Sequence, residues 1–109
     1  MSGLAEIADG AAFNAAIGAG IPVLAKFQTA QCVICRRLDP MLLAVAEEVA
    51  GRLAVVDIDA ERIPAIAERY GVRGVPTMIL FKDGVAAERR TGFMTARMLR
   101  EWLGPHLGG

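Results

Sequence analysis

With 109 residues the chain has enough length for one buried core and too little for a second. Its 12 basic and 12 acidic residues cancel, so no net field recruits nucleic acid or an anionic membrane. No apolar run approaches the roughly 18 residues of a transmembrane helix, and the residues before Lys26, the first basic side chain, lack the pattern of a signal peptide. A cytoplasmic protein, a monomer without nucleic-acid or membrane partners, is expected.

Leu4 to Ala8 is a short strand candidate, and Asp9 is placed to cap a helix with Ala12, Phe13, Ala16 and Ile17 on its apolar face. Gly18 and Gly20 end it. Pro22 precedes Val23 to Phe27, a nearly continuous apolar run of the kind found in strands covered on both faces. Lys26 is the exception in that run.

Gln31-Cys32-Val33-Ile34-Cys35-Arg36-Arg37 follows and holds both cysteines. Residues three apart share a helix face, with Cα atoms roughly 5 Å apart, inside the window of about 4.4 to 6.8 Å that a disulfide needs. In a reducing compartment such a pair is more often catalytic or metal-binding than a structural staple. Beyond it Leu38, Met41, Leu42, Val45 and Val49 recur at helical spacing, Gly51 is the stop, and Pro40 removes a backbone donor inside the helix, where a kink is expected.

Leu53 to Ile58 reads as a second buried strand, and Ile63, Ile66, Ala67 and Tyr70 mark the next helix, with Pro64 in its first turn and Gly71 at its end. Pro76 to Phe81, the turn Lys82-Asp83-Gly84 and Val85 to Thr91 form an antiparallel hairpin pattern. Thr95 caps a last helix with Met98, Leu99, Trp102, Leu103 and Leu107 on its inner side, ended or bent early by Gly104-Pro105. The element order β-α-β-α-β-α-β-β-α predicts one α/β domain over 1–109, a mixed sheet with helices on both faces. Cys32 then lies beyond the carboxyl end of a central strand, where such sheets bind ligands.

The sequence resembles the thioredoxin family over nearly its whole length. The resemblance is carried by the strand-Cys32-x-x-Cys35-helix unit with Pro40, by Tyr70-Gly71-Val72-Arg73-Gly74-Val75-Pro76-Thr77, and by the hairpin Leu80-Phe81-Lys82-Asp83-Gly84. It implies the thioredoxin fold, a central five-stranded mixed sheet flanked by four helices. It also implies a cis bond before Pro76, next to the sulfurs, and a groove glycine at Gly92. A cis bond is tolerated essentially only before proline, which is why that residue type is needed.

Departures from the family pattern cluster at one site. Gln31 replaces the tryptophan before the first cysteine, and Val33-Ile34 replaces Gly-Pro. Lys26 stands for the buried acid, Gln28 for the aromatic after it, and Val55 is the expected counterpart of the lysine that partners the acid.

The reaction implied is thiol-disulfide exchange on protein or peptide disulfides, with electrons from a thioredoxin-reductase-like or other dithiol donor. Cys32, at a helix N-terminus whose N–H groups and dipole favour an anion, is the expected nucleophile, and Cys35 the resolving thiol. No organic cofactor is implied, since the pair itself carries two electrons. An ammonium at Lys26 has protons to donate and no lone pair, although a desolvated neutral lysine accepts one. A cation beneath the pair stabilises thiolate and raises the potential, with 30 mV worth about 1.4 kcal/mol, so a weaker reductant than a typical thioredoxin is expected. The alternative has Lys26 snorkel to the strand end and pair with Asp57 or Asp59.

Arg36 and Arg37 either face the sulfurs or are solvated. Val33 and Ile34 either form an apolar lip for partners or merely pack. Substrate binding is expected from Gln31, Val33, Ile34, Val75, Pro76 and Gly92, with the Val75 backbone pairing to an extended peptide. Two other classes are open: zinc or an iron-sulfur cluster shared in a dimer, since two thiolates supply only half a site, and a redox-inactive adaptor. His106 reads as a terminal surface residue, and Met78, Met94 and Met98 as fillers or groove-lining residues rather than a metal box.

Overall fold

The computed structural model describes residues 3–107, so the outermost residues of the expected 1–109 unit lie outside the described residues. The elements follow the expected order: β1 Ala5–Glu6, α1 Gly10–Ile17, β2 Val23–Gln28, α2 Val33–Glu48, β3 Ala54–Asp59, α3 Pro64–Arg69, β4 Thr77–Lys82, β5 Val85–Thr91 and α4 Ala96–Leu103, then a 3₁₀ turn Gly104–His106. They form one five-stranded sheet in the order β1-β3-β2-β4-β5. β1 and β2 run parallel to β3, as their helical crossovers require, while β4 is antiparallel to β2 and β5 to β4.

The two sheet faces carry separate cores, and strand alternation decides which residue joins which. Leu24, Val55, Met78 and Leu80 pack with Leu38, Leu42 and Val45 of α2 and Leu99, Trp102 and Leu103 of α4. Val23, Ala25, Phe27, Val56, Ile58, Ile79 and Phe81 pack with Phe13 of α1 and Ile66 and Ala67 of α3. Phe81 meets Phe13 and Tyr70 edge to face at 5.5 and 5.1 Å between centroids, and Phe13 and Tyr70 are tilted against each other at 5.8 Å. Because β2 is buried on both sides, Lys26 has no solvent-facing side to point to.

Local signals account for the ends. The Asp9 carboxylate accepts the Ala12 N–H at 2.8 Å, and the Thr95 hydroxyl accepts that of Met98 at 3.1 Å, so both helices start where a capping side chain stands. Asp83 and Gly84 adopt φ of 53° and 78°, the left-handed pair of a tight hairpin turn.

Two expectations are corrected. The first strand is only two residues long. Met98 is 46% exposed, because α4 has eight residues and its inner stripe is filled by Leu99, Trp102 and Leu103. His106 is also more than a free surface residue: its Nε2 lies 3.0 Å from Glu88 on β5, whose other oxygen accepts the Trp102 indole N–H at 2.7 Å.

Candidate active site

Cys32 is the N-cap of α2, and Cys35 stands one turn in, with Cα atoms 5.3 Å apart and the sulfurs joined as a disulfide. The turn is set by the Cys32 N–H bonded to the Thr29 carbonyl at 3.2 Å, which brings the chain from β2 onto the helix axis. The Cys32 sulfur accepts the Cys35 backbone N–H at 3.1 Å. That donor is one of the groups a helix start leaves without an internal partner, and it favours negative charge on the sulfur in the reduced protein. Cys32 is half-buried and Cys35 fully buried. The two sulfurs are therefore unequal: Cys32 has access to a partner, and Cys35 has access to Cys32.

Beneath them Lys26 is fully buried, and its ammonium is paired with two carboxylates: Asp39 Oδ1 on α2, and Asp57 Oδ1 on β3 at 3.1 Å. Sheet register explains the second contact, because Lys26 lies directly opposite Asp57, with both side chains on the α2 face. Val55, expected as the counterpart, instead lies opposite Leu24. Two further expectations change. Lys26 pairs with Asp57, one of the two carboxylates expected for it, but from a fully buried position rather than by snorkelling, and it is not a bare cation below the sulfurs: among the described residues no hydrogen bond joins it to either one. The ammonium is thus shared by two carboxylates.

Asp39 was not visible as a site residue in the sequence. The signal was present: a single acid next to Leu38, four residues after Cys35, on the stripe that α2 buries. Paired with a lone lysine in an apolar strand, such an acid marks a buried ion pair. Asp39 and Asp57 also line a cleft of about 560 Å³, with Glu6, Gln28, Ala30 and Arg36.

Arg36 and Arg37 are exposed, and the Arg36 guanidinium donates to the Ala30 carbonyl at 3.1 Å, bracing the loop before the cysteines. Gln31 is exposed, and Val33 and Ile34 are 53% and 50% exposed, so neither apolar side chain is packed away. Val75 is half-buried and Pro76 buried, with a cis bond between them. Gly92 donates its N–H to the Pro76 carbonyl at 2.9 Å and has φ of 85°, a conformation in which a side chain is strained. Thr77 Oγ1 donates to the Gly74 carbonyl at 2.6 Å, closing the turn that presents Val75 and Pro76.

A family model, thioredoxin, matches residues 5–104. Thioredoxin 1 of Synechococcus elongatus is 30% identical over 107 residues, covering 98% of this chain and the whole of that one. A mutant thioredoxin from Halobacterium salinarum superposes with a TM-score of 0.89 at 29% identity, covering 99% of this chain and 94% of that one. Chloroplastic thioredoxin z superposes with a TM-score of 0.86, also at 29% identity, with 97% and 96% covered. Fold, disulfide pair and sequence agree: the chain belongs to the thioredoxin family and is a thioredoxin-like thiol-disulfide oxidoreductase acting on protein disulfides.

Proposed function

We propose that the protein works as a monomeric cytoplasmic disulfide reductase, drawing electrons from a thioredoxin-reductase-like or other dithiol donor and serving electron transport in cell redox homeostasis. The observation that carries the reading is the inequality of the two sulfurs, one half-buried at a helix start with an N–H on it, the other fully covered one turn below. Cys32 thiolate attacks one sulfur of a partner disulfide, forming a mixed disulfide and releasing the first partner thiolate. Cys35 thiolate then attacks Cys32, releasing the second. Two electrons pass to the partner, and the protein is left as its Cys32–Cys35 disulfide.

Substrate contact falls to the surface around Cys32. Gln31, Val33 and Ile34 present one polar and two apolar side chains beside the nucleophile. Val75 offers backbone N–H and C=O to an extended peptide, with Pro76 and Gly92 shaping the same edge. Gln31, in place of a large aromatic, gives up one anchor of the kind that dominates interfaces, so a partner set distinct from that of a tryptophan-bearing relative is expected. Lys26 acts from below by holding Asp39 and Asp57.

The test is dithiothreitol-driven reduction of insulin disulfides. Wild type should accelerate it and Cys32→Ser should fall to the uncatalysed rate. Wild-type activity equal to that of Cys32→Ser would instead support the redox-inactive adaptor.

A further inference from the structure

Resolution of the mixed disulfide requires a proton to leave a place that bulk water does not reach. Cys35 is fully buried, and only its thiolate attacks sulfur, so its S–H needs a base within the protein. Asp39 lies four residues further along α2, on the same buried face. Residues at that spacing stand one above the other, with Cβ atoms about 5–6 Å apart. The Asp39 carboxylate and that of Asp57 both pair with the Lys26 ammonium. Asp39 also lines the open cleft with Glu6 of β1, Gln28 of β2, Asp57 of β3 and Arg36 of α2 itself, so a proton taken up there has a way out.

We propose that Asp39 is the base that receives the Cys35 proton, directly or through one water, with Lys26 fixing its carboxylate. This rests on the exchange reaction above. In the step the Cys35 S–H bond breaks and its proton passes to an Asp39 oxygen. The electron pair left on Cys35 forms the bond to Cys32, and the Cys32–partner sulfur bond breaks with its pair leaving on the partner thiolate. Asp39 afterwards returns the proton through the cleft.

Stopped-flow mixing of the reduced protein with dithiobis(nitrobenzoate) separates the two events. Attack by Cys32 releases one nitrothiobenzoate, and resolution by Cys35 releases the second. Asp39→Asn should slow the second release at least about tenfold near pH 7 and leave the first within about twofold, as loss of a positioned base does. The deficit should shrink as pH rises towards the ordinary thiol value of about 8.5, where the thiol ionises unaided, and Asp39→Glu should restore most of the rate. Asp57→Asn, which removes the same charge from the same ammonium, should leave the second release within about threefold. A second release unmoved by Asp39→Asn, or slowed equally by Asp57→Asn, would overturn the assignment while leaving the exchange reaction standing. Absence of the first release in wild type would overturn the exchange reaction and this assignment together. If Asp39→Asn does not fold by circular dichroism, Lys26→Gln/Asp39→Asn, which removes the ammonium as well, carries the same comparison.

Discussion

At the scale of single residues the unusual feature is Lys26, a cation with its side chain 1% exposed, held by two acids that are themselves nearly covered. Burying a charge is costly unless it is paired, and removing one partner of a buried pair leaves the rest uncompensated, which typically costs about 3–5 kcal/mol. Lys26→Met should therefore lower the free energy of urea unfolding by about that amount, because it removes the ammonium that pairs with both carboxylates. Lys26→Met/Asp39→Leu/Asp57→Leu should recover most of the loss, since an apolar trio of similar volume carries no charge to desolvate. A Lys26→Met variant as stable as wild type would show that the ammonium is not what holds the acids in place. Two of the three members of this cluster were legible in the sequence. Lys26 stood out against its apolar strand, and Asp57 was one of two candidate partners. Asp39 was missed because the helical stripe shows in the sequence through its apolar members alone.

Among the elements, the end of the chain is tied to the edge strand through one carboxylate. Glu88 on β5 accepts from the Trp102 indole at 2.7 Å and faces His106 at 3.0 Å, while Arg90 lies over the Trp102 ring at 4.8 Å. The Trp102 hydrogen bond holds the Glu88 carboxyl below its ordinary 4.5, against an opposing desolvation, with the charges of His106 and Arg90 adding to the lowering. A carboxyl lowered in the folded state contributes stability that is present above its unfolded value and is lost as pH falls through the folded one. Glu88→Gln should thus be less stable than wild type at about pH 6 and lose less on going to about pH 3.5, read by urea unfolding followed through the single tryptophan. Equal acid sensitivity in the two proteins would remove Glu88 from the account. Sequence patterning foresaw α4 and its cap but not this tie, because Glu88 and Trp102 meet only once β5 and α4 are folded against each other.

For the molecule as a whole, what could be read in advance was what the chain encodes locally. The Lys82-Asp83-Gly84 turn, the Asp9 and Thr95 caps and the continuous apolar run of β2 each depend on a few adjacent residues, and each stands where expected. The five-stranded mixed sheet and the cis bond before Pro76 came from the family resemblance, which rested on the two cysteines, the Val75-Pro76-Thr77 segment and the hairpin. Parallel register was not accessible, because β2 and β3 are brought together by a crossover helix rather than a turn, and a shift of two residues exchanged Asp57 for Val55 as the neighbour of Lys26. The element framework and the cysteine pair thus followed from sequence, while the charge beneath the pair required the packed structure. The central claim is the division of labour between an accessible Cys32 and a covered Cys35, and trapping tests it most directly. Mixed with a disulfide-bonded protein substrate and analysed by mass spectrometry without reductant, Cys35→Ser should accumulate a covalent adduct at Cys32, and Cys32→Ser should accumulate none. An adduct on Cys35 in Cys32→Ser, or no adduct in Cys35→Ser, would contradict that division.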